Sequence, residues 1–93
     1  MSSYDEPFEQ LTGDVRAGHR AMQSLIEEIG AVDAYNQRAS LTQERELQAI
    51  LTHNRDEEIE HAAMLLEWLR RNMPGWDKEL RDWLFTDKPI AHP

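Results

Sequence analysis

From Leu47 to Trp68 the chain places an inward-type residue at every third or fourth position: Leu47, Leu51, Asn54, Glu58, His61, Leu65 and Trp68. That spacing is one continuous seam along a helix, and no strand can present it on one face. A second segment has the same rhythm, with Phe8, Leu11, Val15, Met22, Leu25, Ile26, Ile29, Val32 and Tyr35 running from Pro7 to about Arg38. Between them "RASLTQE" reads as a turn, with Ser40 and Gln43 spaced as a capping box. Pro74 and Gly75 end the second helix, which is expected over residues 42–72. Trp76, Leu80, Trp83 and Leu84 predict a short third helix over 75–85, followed by a tail over 86–93. Gly13, Gly18 and Gly30 each weaken the first helix by roughly 1 kcal/mol relative to alanine, so packing has to sustain it.

The fold class is therefore all-α: an antiparallel two-helix hairpin plus a short C-terminal helix, in one domain over residues 1–93. A chain of ninety-three residues folding alone buries only about 60–65% of the surface its unfolded form exposes. Ile59, Ala62, Ala63, Leu66 and Leu69 widen the apolar face beside the main seam. A hairpin alone leaves such a face wet. A second copy completing a four-helix bundle is its simplest cover, so a homodimer is expected.

Composition narrows the chemistry. With no cysteine, disulfides and thiolate metal sites are excluded, and any metal is held by carboxylate, imidazole or water. A formal net charge of −8 repels phosphate backbones and anionic lipid, so neither nucleic acid nor a membrane is expected as a partner. The acidic N-terminus resembles no export signal, and a cytoplasmic location follows by default.

Against that background, Glu58 and His61 stand out. Three residues apart on a helix, they are neighbours about 5–6 Å apart at Cβ, a spacing that suits one metal ion. Glu57, four residues before His61, is the competing partner, but it lies off the Leu51/Leu65 line. A Glu-x-x-His pair alone is weak, because charged helices produce it by chance, and a simple Glu58 to His61 hydrogen bond is the plain alternative. The first helix supplies a companion. Ala21, Leu25, Glu28, Val32 and Tyr35 form one stripe, which Glu28 interrupts as Glu58 interrupts the other. A hairpin turning near residue 41 sets these glutamates about one helical turn apart in height. One chain thus offers half the ligand set of a di-iron carboxylate bundle, and a twofold dimer supplies the rest. Four glutamates meeting there repel until divalent ions neutralise them, so metal is expected to favour association. Iron or manganese suits such ligands better than structural zinc.

The remaining histidines and aromatics carry less. His19 and His53 are too far along their helices from Glu28 and His61 to share an ion, and His92 lies in the tail. Trp68, Trp76 and Trp83 read as packing anchors. Glu27, Glu57, Glu60 and Glu67 read as a solvated acidic face, with Glu27 able to draw cations in.

"LIEEIGAVDAYNQR", "LTHNRDEEIEHAAMLLEWLRRN" and "WLFTDKPI", in that order, resemble the encapsulated ferritin family from about His19 to Ile90. The resemblance implies a ferroxidase that oxidises Fe(II) to Fe(III) with dioxygen at a di-iron centre, two iron ions per dimer, formed between two chains. It implies Glu28, Glu58 and His61 as ligands, Tyr35 near the centre, dimers associating into an annular decamer, and packaging inside an encapsulin nanocompartment in the cytoplasm. The hairpin ring has no closed cavity, so the shell would hold the mineral for storage or detoxification. Two positions depart from the family pattern. Gly30 stands where a third glutamate of the ion-uptake site is usual, leaving Glu27. Ala34 stands where tryptophan is usual before Tyr35. A shell-targeting peptide would follow the folded region, and none is legible before Pro93. Two other readings use the same ligands: a metal-stapled assembly module without catalysis, and a peroxide-consuming di-iron protein of the rubrerythrin kind.

Overall fold

The computed structural model describes residues 4–91 and is all-helical over them, with no strand among the described residues. A 3-10 turn at Phe8–Gln10 precedes α1 (Gly13–Leu41), α2 (Arg45–Asn72) and α3 (Trp76–Trp83). The helices α1 and α2 form the expected antiparallel hairpin, and α3 packs against α2. No described helix is long and apolar enough to cross a membrane. His92 falls outside the described residues.

The helix ends differ from the sequence expectation for local reasons. The first helix starts at Gly13 instead of Pro7, because Thr12 is extended and its hydroxyl accepts a hydrogen bond from Val15 N at 3.2 Å, capping α1 there. The Phe8–Gln10 turn is held off the helix axis by Arg16. Its Nε and Nη2 donate to the Phe8 carbonyl at 3.1 and 2.6 Å, and its guanidinium lies 3.7 Å from the centre of the Phe8 ring. At the hairpin turn the Ser40–Gln43 capping box does not form. The first helix continues through Ser40, whose hydroxyl donates to Gln37 O, and Thr42 closes the helix by donating to Arg38 O. Glu44 takes the capping role instead, one carboxylate accepting from both Glu46 N and Leu47 N at 3.2 and 2.6 Å. An anion fits there because the N-terminal amides carry positive partial charge. Gly75, at φ 100°, supplies the left-handed residue that turns the chain into α3, which stops at Trp83 because Leu84 is extended.

The core sits where the two long helices face each other. Gln48, Arg55, Ala62 and Leu69 recur every seven residues on α2, and this is the stripe turned to α1. Gln48 Nε2 donates to Ala39 O at 3.0 Å, Arg55 Nη1 donates to Asn36 Oδ1 at 3.1 Å, and Leu69 is fully buried. On α1 the buried residues are small: Gly18, Ala21 and Ala39. The seam of Leu51, Glu58 and Leu65 is therefore a flank beside the intrachain contact, half-buried, with Leu47 and Trp68 at its ends exposed. Large aliphatic side chains elsewhere on the hairpin remain in water, with Ile26, Ile29 and Ile50 each more than half exposed at 60, 55 and 56%. One hairpin cannot bury its own apolar surface.

An ion-pair network ties α3 to α2. Arg70 donates to both Glu67 and Asp77, while Arg71 adds a second donor to Glu67 and Arg81 a second to Asp77. The hydrogen bonds from Arg70 and Arg71 hold the Glu67 carboxyl down from 4.5 to about 2. Those from Arg70, then Arg81, lower Asp77. Because both folded values lie below the unfolded ones, this contribution is complete above about pH 4.5 and is lost as pH falls towards about 2. The pair of this network that joins the two helices is Arg70–Asp77, so tryptophan emission in a Trp68→Phe variant, where both remaining indoles are on α3, is expected to shift as the pH falls below 3.8, the ordinary value of Asp77, while far-UV helicity is retained. A flat emission curve over that range would show that the network does not hold α3.

Candidate metal centre

On the open flank of the hairpin, α1 contributes Glu28 and α2 contributes Glu58 and His61. Each offers a ligand atom, and the three atoms lie within 4.8 Å of one another. The geometry follows from helix periodicity. Glu58 and His61 meet because residues three apart share a face. Glu28 joins them because the antiparallel register brings its turn of α1 alongside. His61 Nδ1 is 3.5 Å from Glu28 Oε2 and 3.4 Å from Glu58 Oε2. Neither separation is a hydrogen bond of good geometry.

The burial of these atoms bears on what they hold. Glu28 Oε2 is inaccessible to solvent and lacks a hydrogen-bond partner. A carboxylate oxygen stripped of water and left without a donor is costly, and a cation beside it removes the cost. Two hard carboxylates and one imidazole are a donor set that fits iron, manganese or zinc. The residues present thus fit a divalent ion. The cluster is also open on one side, with 24–43% of each side chain exposed, so three ligands leave coordination positions unfilled by this chain.

The other candidates separate cleanly. Glu57 points away from the cluster and meets His53 on the outer surface of α2, 3.7 Å from Nε2 to Oε1. Its competing claim on His61 is thereby removed. Glu27 is exposed on α1, next to Glu28 in sequence but outside the group of three. Tyr35 is half-buried, two turns along α1, with the Arg38 guanidinium 5.5 Å from its ring centre. His19 of α1 stacks at 4.0 Å between ring centres on Tyr4, so that residues 4–12 form a strap along the start of the helix. Sequence reasoning did not anticipate that strap, since aromatic stacking across fifteen residues leaves no periodic signal.

A helical hairpin that carries a glutamate, glutamate and histidine cluster on one flank is the ferritin-like class of architecture. The chain belongs to the EncFtn-like family, whose model matches residues 3–87. It is 63% identical over 88 residues to a "Ferritin-like protein" of Thermotoga maritima, covering 95% of this chain and 77% of that one. It is 54% identical over 90 residues to an "Encapsulated ferritin-like protein" of Rhodospirillum rubrum, covering 97% of this chain but only 64% of that longer relative. Among solved structures, protein ne0167 from Nitrosomonas europaea superposes with a TM-score of 0.92 at 60% identity, over 98% of this chain and 100% of that one.

Proposed function

We propose that the protein is a ferroxidase: two copies meet on the open flank, and Fe(II) is oxidised there to Fe(III) by dioxygen. The observation that carries this reading is the cluster itself, three metal-type ligands converging around a buried, unpartnered carboxylate oxygen on a face the chain leaves uncovered. In a twofold dimer the two clusters combine into four glutamates and two histidines, enough for two ions. Each Fe(II) gives one electron, so a pair supplies two together, and dioxygen takes them up with two protons. The protein's part is to gather and hold the substrate ions. Glu28 and Glu58 supply anionic oxygens that tolerate either oxidation state, and His61 fixes one side through its ring nitrogen. On this reading Glu27 helps draw ions inward and Tyr35 lies near the centre. The reading extends to an annular decamer built from dimers and carried within an encapsulin compartment of the cytoplasm, and the name of the Rhodospirillum rubrum relative, "Encapsulated ferritin-like protein", supports the packaging.

Two measurements test the proposal. The molecular mass of the metal-free protein at low micromolar concentration is expected to rise to at least the dimer when Fe(II) or Co(II) is added, because ions neutralise the repelling carboxylates. Dioxygen uptake on mixing with Fe(II) is expected to exceed the protein-free rate. Metal-driven assembly with oxidation at the background rate would reduce the protein to a metal-stapled module. Faster turnover with peroxide than with dioxygen would make it a peroxide-consuming protein instead.

A further inference from the structure

One turn before Glu58, on the same flank, Asn54 interrupts the apolar line between Leu51 and the cluster. Its side chain is half-buried and makes no hydrogen bond to another described residue. Glu28 Oε2 is the one buried side-chain atom without a partner among the described residues, so the Asn54 carboxamide still reaches water in the single chain, and it needs a new partner once a second copy covers the flank. Both sequence neighbours of Asn54 are engaged elsewhere. His53 meets Glu57 on the outer surface, and Arg55 is shared between Asn36 of α1 and Asp56. Asn54 is left with its amide unengaged among the described residues, four residues before Glu58 and so on the same helix face.

Resting on the ferroxidase reading above, we propose that Asn54 is a positioning residue for Glu58, its amide N–H donating to the carboxylate oxygen that His61 does not face. Helical side chains lean towards the N-terminus, so Glu58 reaches back over the turn that carries Asn54, four residues earlier. His61 Nδ1 approaches Glu58 Oε2 at 3.4 Å, which leaves Oε1 for the amide. The choice of side chain follows from charge. A lysine or arginine here would neutralise Glu58 and compete with the incoming cation, whereas a neutral amide orients the carboxylate without cancelling its charge. The short asparagine stem also keeps the amide one turn away from the ion. When a second copy covers the flank, water is displaced from Asn54, and the bond to Glu58 becomes its local means of satisfaction.

The test is a Co(II) titration of the full-length, metal-free protein, followed by visible absorption, with mass and melting temperature measured before metal is added. Asn54→Leu keeps the volume and removes the donor, and is expected to weaken Co(II) binding roughly tenfold, the scale at which partners of metal ligands act. Its metal-free melting temperature is expected to be unchanged or raised, because an apolar side chain suits the flank. Asn54→Gln, whose longer amide can still reach one turn along the helix, is expected to recover most of the affinity. The inference is overturned if Asn54→Leu binds Co(II) as the wild type does, or if Asn54→Gln loses as much as Asn54→Leu. Glu58→Ala keeps the two claims apart: wild-type binding by that variant would defeat the metal centre itself, whereas its loss beside an unaffected Asn54→Leu would defeat only the role of Asn54.

Discussion

Glu58→Gln is expected to lower the rate of aerobic Fe(II) oxidation by about 100-fold, a loss of about 3 kcal/mol at 1.4 kcal/mol per decade. The substitution keeps the shape of the side chain and removes its charge. It also takes away one anionic ligand from each half of the proposed centre. Glu28, Glu58 and His61 bring their ligand atoms within 4.8 Å, so the two carboxylates repel one another until a cation is present. The same variant is therefore expected to melt at the same or a higher temperature than the wild type when both are metal-free, and to gain less from added metal. Lower activity with undiminished metal-free stability distinguishes a lost ligand from a damaged fold. His61→Ala is expected to lose activity similarly. Oxidation by Glu58→Gln at the wild-type rate would remove Glu58 from the site.

Leu69→Ala is expected to destabilise the metal-free chain by about 3 kcal/mol, on the order of 10–20 °C in melting temperature for a domain of this size. Leu69 is the one large side chain that is fully buried among the described residues, and the other buried apolar residues are Ala21 and Ala39. Small residues on α1 let the helices approach closely, but they contribute little apolar area themselves. Much of the intrachain contact therefore depends on Leu69. Small domains are only marginally stable, so a loss of this size is a large share of the total. Both proteins must be compared at one concentration without metal, because association adds its own stabilisation. Trp68→Ala, at a side chain 37% exposed, is the natural comparison, and an equal effect there would show that the core is not centred on Leu69.

The contrast between Leu69 and Trp68 shows how far periodicity reaches. Both are spaced by threes and fours from the residues before them, and the sequence pattern assigned Trp68 to the main seam and Leu69 to its margin. The structure reverses their burial. An apolar stripe as wide as that of α2 has more than one line able to face a partner, and one chain's pattern does not say which line meets α1 and which is left for another molecule. The hairpin turn has the same kind of ambiguity. Ser40 and Gln43 satisfy the spacing of a capping box, yet α1 runs past Ser40 and Glu44 caps α2. Several residues near a turn can serve as caps, and the choice depends on where the first helix stops.

The ligand pattern was legible for a different reason. Charged residues on an apolar line are costly, so Glu28, Glu58 and His61 stand out wherever helical spacing is recognised. Spacing also favoured Glu58 over Glu57, which lies off the Leu51/Leu65 line, and in the structure Glu57 pairs with His53 instead. The sequence by itself determined that this protein is helical, that it turns once between two long helices, and which acidic side chains share a face, because those properties depend on spacing along one chain. The sequence already set Glu28, Glu58 and His61 on a face between two copies, whereas only the tertiary structure decided that the deeply buried line of α2 runs through Leu69 and not through Trp68. That outcome depends on how two helices rotate about their axes when they pack, and rotation is set by the fit of Leu69 and the small residues of α1, which local spacing does not encode.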